Sequence, residues 1–121
     1  MKQEDKELLL QDLCGRLPYG VKMNHIADTE NNPVTLVGVA KTMITLDSTA
    51  GYGTSDIEDY IPYLFPLSSM TEEQKTSHNF LKHSAYASPI KLIDFYNKNH
   101  FDYRSLIPMG LAIDATNLNI Y

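Results

Sequence analysis

Val34-Thr35-Leu36-Val37-Gly38-Val39-Ala40-Lys41-Thr42-Met43-Ile44-Thr45-Leu46 is the stretch that decides the fold. β-Branched and aliphatic residues dominate its two ends, and such side chains suit the pleated, half-buried surface of a strand. The short link at Ala40-Lys41 makes residues 34–39 and 42–46 a hairpin. Upstream, residues 21–26 alternate, with Val21, Met23 and His25 on one face, which predicts another strand. Asp28-Thr29-Glu30-Asn31-Asn32-Pro33 separates the two as loop, because its side chains hydrogen-bond their own backbone. The expected centre is a three-stranded antiparallel meander.

Further out, Leu9, Leu10, Leu13, Cys14 and Leu17 share a face at helical spacing. They predict an amphipathic helix over about residues 3–14, ended by Gly15 in the left-handed conformation. Leu17-Pro18-Tyr19-Gly20 reads as a turn. A small sheet must cover one face, so Leu9, Leu10 and Leu13 are expected against it, with Val34, Leu36, Ile44 and Leu92 as partners. Residues 48–55 read as a flexible loop. Ile57, Tyr60, Ile61 and Leu64 fit a helical face that Pro62 interrupts, so this segment reads as a helical turn or a short edge strand.

Thr71 and Gln74 have capping-box spacing ahead of a helix running to about His83, with Glu72 and Glu73 at its positive end. Ser88 caps a third helix with Pro89 at its first position, Leu92, Ile93 and Tyr96 facing inward, and Asn99 at its end. Residues 101–107 hold one further turn, and Leu111-Ala112-Ile113 reads as extended and buried. The fold class is α+β. A small antiparallel β-meander of about three strands packs with an N-terminal helix and two C-terminal helices, all in one domain over residues 1–121.

A chain of 121 residues, 43% hydrophobic and 21% charged, has enough apolar surface for one core and argues against wholesale disorder. No apolar run approaches the roughly 20 residues that span a bilayer. Residues 1–12 mix acids and lysines, which is not signal-peptide chemistry. Cys14 is the single cysteine, so neither an intrachain disulfide nor a multi-cysteine zinc site is available. These features predict a cytoplasmic protein without membrane association.

The net charge of −5 is unevenly spread. No Lys or Arg occurs between Lys41 and Lys75, a stretch holding Asp47, Asp56, Glu58, Asp59, Glu72 and Glu73. Such a stretch cannot track phosphates, which requires basic side chains to displace counterions, so nucleic-acid binding is not expected.

Pro62-Tyr63-Leu64-Phe65-Pro66-Leu67-Ser68-Ser69-Met70-Thr71-Glu72-Glu73 resembles a recurrent segment in an uncharacterised family of short hypothetical proteins from gut-bacterial prophages and mobile elements. His100-Phe101-Asp102-Tyr103-Arg104-Ser105-Leu106-Ile107, followed by Gly110-Leu111-Ala112, is similar to the same group. So are Asp12-Leu13-Cys14 and Leu17-Pro18-Tyr19-Gly20-Val21. The resemblance implies a phage or mobile-element setting and an accessory or interaction role. It carries no catalytic residue.

The sites that chemistry could use are weak. Cys14, on the expected apolar face, reads as a buried, inert thiol. His78 and His83 are five apart, about 140° around an ideal helix, where a helical zinc pair needs a spacing of four. His100 reads as a partner of the negative end of the third helix, and His25 as a half-buried strand residue. Asp47 to Glu58 has acids at the first and twelfth positions of a calcium loop, but Tyr52 stands where the loop requires glycine. Gly51-Tyr52-Gly53-Thr54 lacks the lysine and the spacing of a phosphate-binding loop. The sequence thus predicts no catalytic residue, no metal and no cofactor.

The tyrosines remain. Tyr63 and Phe65 read as cover for the sheet, while Tyr52, between two glycines, reads as exposed. Tyrosine is common at interfaces because it joins a large apolar area to a polar tip. The expectation is a non-enzymatic accessory protein that meets a basic protein partner through Asp47, Tyr52, Asp56, Glu58 and Asp59. Self-association into a homo-oligomer is left open. The alternative is a small hydrolase or nuclease drawing on His25, His78, His83 and His100, which requires two histidines and a carboxylate to converge.

Overall fold

The computed structural model describes residues 1–85 and 88–121. Helix α1 (Gln3–Arg16) leads through a 3-10 turn (Leu17–Tyr19) into β1 (Lys22–His25). Strands β2 (Val34–Val39), β3 (Met43–Ser48) and β4 (Gly51–Asp56) follow, then a 3-10 turn (Ile57–Asp59) and β5 (Tyr60–Pro66). Helices α2 (Glu72–His83) and α3 (Pro89–Lys98) precede two short strands, β6 (Phe101–Asp102) and β7 (Ile113–Asp114).

The expected meander is the middle of a larger sheet. Seven strands run in the order β4-β3-β2-β1-β5-β6, with β7 also on β5. Pairings from β4 across to β5 are antiparallel, and β5 pairs in parallel with β6 and β7. The α+β class stands, and the count of about three strands is corrected to seven. Two segments account for half of the difference, and the short β6 and β7 for the rest. Residues 48–55 are not a flexible loop: Thr49-Ala50 is a two-residue turn that sets Gly51 opposite Ser48. Ser48 Oγ accepts from Ala50 N at 3.2 Å, and Gly51 takes φ 103°, a value L side chains rarely adopt.

Strand β5 forms despite Pro62, which normally confines a segment to a sheet edge. Pro62 lies opposite Met23, and the parallel pairing on the other side of β5 begins at Tyr63. The missing N–H therefore falls outside both parallel ladders. One step on, the β1–β5 ladder is completed by a side chain from the far end of the chain. Tyr121 Oη accepts from Lys22 N at 2.9 Å and donates to the Tyr63 carbonyl at 2.7 Å.

Helix α1 covers one face of the sheet. Leu9 and Leu13 are fully buried, in one core with Val21, Met23, Leu36, Ile44 and Leu64, and Leu10 and Val34 pack at its margin. Leu92 belongs instead to a second cluster, with Met70, Tyr96 and Phe101. Ile93, expected inward, is exposed. Cys14 is also exposed, which corrects the buried-thiol expectation. The inner face of α1 is completed by Asp12 and Arg16, four residues apart and both buried. The helix runs through Gly15, whose hydrogen faces α3: a Cβ there would lie 2.9 Å from Asn97 Nδ2. Gly15 thus permits a close helix crossing and does not end the helix. The capping box of α2 forms as its spacing predicts, with Gln74 N donating to Thr71 Oγ1 and Thr71 N to Gln74 Oε1. Ser88 caps α3 through Lys91 N. No helix among the described residues is long and apolar enough to cross a membrane.

Candidate interaction surface

The five residues expected at a partner surface lie on or beside β4, which ends the sheet. In the β3–β4 ladder Asp47 faces Tyr52, and the row continues through Thr35 to Lys22. Leu46 and Ile44, paired with Gly53 and Ser55, face the core. Side chains alternate along a strand, so Tyr52, Thr54 and Asp56 stand with Asp47 on the opposite, uncovered face. Tyr52 is 77% exposed, the most exposed large apolar side chain among the described residues.

The remaining acids have other duties. Asp56 caps the following 3-10 turn, accepting from Glu58 N at 3.2 Å. Glu58 pairs with Lys6 Nζ at 2.8 Å. That hydrogen bond, with the negative field of Glu58 and Asp56, raises the Lys6 pKa. The Asp59 carbonyl accepts from Ile26 N. Lys6 and Lys41 also line a small cavity beside Asp56, so positive charge offsets this end of the strand. The structure therefore brings Asp47 and Tyr52 together and sets Asp56, Glu58 and Asp59 apart from them. Tyr52 and Asp56 are four positions apart along the strand, about 13 Å.

The backbone of β4 adds a feature that the sequence reading missed. Ile57 N donates to the Thr42 carbonyl at 3.1 Å, so Thr42 and Ile57 form a hydrogen-bonded pair. Antiparallel pairs alternate, which makes Ile44–Ser55, Leu46–Gly53 and Ser48–Gly51 the bonded ones. Tyr52, Thr54 and Asp56 consequently turn their N–H and C=O groups to the free edge. The only sequence signal was the two-residue spacing between Ser48 and Gly51.

The histidines do not assemble. His25 is exposed on β1 and meets Tyr60 edge-on, with ring centres 5.1 Å apart. His78 on α2 is hydrogen-bonded to Tyr96 Oη at 2.8 Å. His100 stacks on Tyr121 at 3.8 Å, and His83 lies exposed in the last turn of α2. Among the described residues no three His, Cys, Asp or Glu side chains are grouped to hold a metal. His100 does not serve the helix end as expected. Burial, then the charges of Arg16 and Lys22, lower its pKa to about 4 and keep it neutral.

The densest polar cluster is inside. Arg16 donates from Nε to Asp12 Oδ2 at 2.6 Å, and from Nη2 to Asp12 Oδ1 at 3.1 Å and the Phe101 carbonyl at 2.7 Å. Arg104 Nε stands 3.4 Å from Asp12 Oδ1. Both guanidinium groups lie over the Tyr103 ring, which stacks on Tyr96. Both Asp12 oxygens are engaged, so this carboxylate is a structural tie between α1, β6 and the segment after it. No protein-family model matches the chain, and neither a curated protein nor a solved structure is similar to it.

Proposed function

We propose that this chain is a non-enzymatic accessory protein of phage or mobile-element type that binds a basic protein partner through the edge of its sheet at β4. The observation that carries this reading is Tyr52, 77% exposed on a regular strand and facing Asp47 across the ladder. An aromatic ring held out by a strand loses little freedom on binding, and charge beside it steers association. Asp56 at the end of β4 and Asp59 in the turn after it add acidic charge farther along this side, while Glu58 contributes less because Lys6 holds it. The alternative hydrolase or nuclease needs converging histidines, and three of the four pack against different tyrosines.

The test is capture of partners from the native host by the wild type and by Asp47→Lys/Tyr52→Ala, followed by binding measurements across salt concentrations. Both substitutions are at exposed positions, so folding should change by only about 0.5 kcal/mol. The expected result is a captured basic protein whose binding weakens as salt rises and is lost in the variant. Equal binding by both proteins at every salt concentration overturns the proposal.

A further inference from the structure

We propose that β4 is a strand-addition edge, taking an extended segment of a partner protein with basic residues on one face and large apolar residues on the other. The inference rests on the interaction reading above and specifies how the partner is held.

Three observations carry it. Tyr52, Thr54 and Asp56 present unpaired backbone donors and acceptors in register along the last strand of the sheet. Such a row is a template for another strand, and proteins usually guard it with lysine, proline, a bulge or a covering element. β4 has no lysine or proline, and its six pairs with β3 run without a register shift; the irregularity at Leu36/Gly38 lies one ladder away, between β2 and β3. Residues 51–54 are exposed, so none of the described residues covers them.

The faces of β4 define the occupant. On the outer face an added strand meets Tyr52 and Thr54 with Asp47 behind them, which suits lysine or arginine there, and reaches Asp56 at the end that Lys6 and Lys41 partly offset. On the inner face Gly51, Gly53 and Ser55 present almost no side chain. They leave a cavity of about 270 Å³ bounded by Val34, Leu46 and Tyr60, and lined also by Tyr52, which suits a large apolar side chain. A second copy of this chain is a poor occupant, because edge-to-edge pairing offers no basic residue to Asp47 or Asp56 and presents only Gly51, Gly53 and Ser55 to either cavity. Backbone bonds then supply affinity, and alternate side chains supply selectivity.

The experiment uses the full chain and two synthetic peptides, both capped and both alternating lysine with isoleucine. One carries ordinary amides and the other is N-methylated at alternate positions, which keeps charge and side chains while blocking pairing. Binding is followed by fluorescence anisotropy, and amide exchange of the protein by NMR. The expected result is that the ordinary peptide binds, slows exchange at Tyr52, Thr54 and Asp56, and binds about tenfold or more tighter than its methylated twin. Equal binding of both peptides, abolished by Asp47→Lys/Asp56→Lys, overturns strand addition and leaves the acidic-surface reading standing. No binding of either peptide also overturns strand addition, whereas partner capture judges the broader reading separately. Should sedimentation show a dimer that Thr54→Pro disperses, the occupant is a second copy and the basic segment is excluded. The peptide pair decides the matter without that variant if it does not fold.

Discussion

Tyr121 does the work of a missing ladder bond. Its hydroxyl sits between Lys22 N–H and the Tyr63 carbonyl, residues that would otherwise face each other unpaired. Tyr121→Phe keeps the ring on His100 and removes both bonds. It should cost about 1–3 kcal/mol, on the basis of about 0.5–1.5 kcal/mol for each of the two hydrogen bonds lost, read from a denaturation midpoint. His100 itself makes stability depend on pH. Its folded pKa of about 4 lies below its ordinary 6.5, through burial and then the charges of Arg16 and Lys22. Between those values the unfolded chain binds a proton that the folded chain refuses, so this contribution is complete above about pH 6.5 and is lost as pH falls towards 4. His100 has φ 61°, which asparagine tolerates. His100→Asn should therefore fold and show a flatter decline of its thermal midpoint from about pH 7 to pH 5. An unchanged slope means that His100 does not supply that dependence.

Helix α1 shows how far an element can be read from its own residues. The leucine stripe correctly marks Leu9 and Leu13 as core, and Leu13→Ala should cost on the order of 2–5 kcal/mol, checked by chemical denaturation. The stripe also places Leu17 correctly, at the margin of that core, but it assigned Cys14 to the buried face, where Asp12 and Arg16 lie instead. Charged residues read as solvent-facing because burying either alone is prohibitive; the pair is buried because Arg16 also reaches the Phe101 carbonyl. Asp12→Ala should destabilise by about 3–5 kcal/mol, since an uncompensated guanidinium stays inside. Asp12→Leu/Arg16→Met should recover part of that loss in the same denaturation series. If the double variant is worse than Asp12→Ala, the tie to Phe101 outweighs the cost of buried charge. Gly15 looked like a helix end because glycine favours one, and its actual role depends on a helix more than eighty positions away, at Asn97.

For the whole molecule, the sheet order decides where function can be. β4 is an edge because the antiparallel run ends there, while β5 takes the other side of β1 and collects two parallel strands. The ladder parity makes a prediction that separates a strand from a flexible loop. In the free protein the amides of Gly53 and Ser55 should exchange slowly, and those of Tyr52, Thr54 and Asp56 quickly. Uniformly fast exchange from Gly51 to Asp56 would restore the loop reading and remove the proposed edge. Much of the fold was legible locally: the β2–β3 hairpin, the capping box at Thr71, the N-cap at Ser88, and the buried Leu111 and Ala112. Exposure of Tyr52 was also legible, because a ring flanked by glycines has no apolar neighbours to cover it. Each of these depends on residues within a few positions of one another. By itself the sequence determined an α+β domain whose first helix and central strands share a core, since periodicity and β-branching act at short range. Only the tertiary structure decided that Gly-Tyr-Gly-Thr-Ser-Asp is a strand, that Pro62 lies inside a sheet, and that Tyr121 closes the ladder. Those outcomes depend on backbone partners distant in sequence, and a hydrogen bond completed across the fold leaves no pattern in the residues beside it.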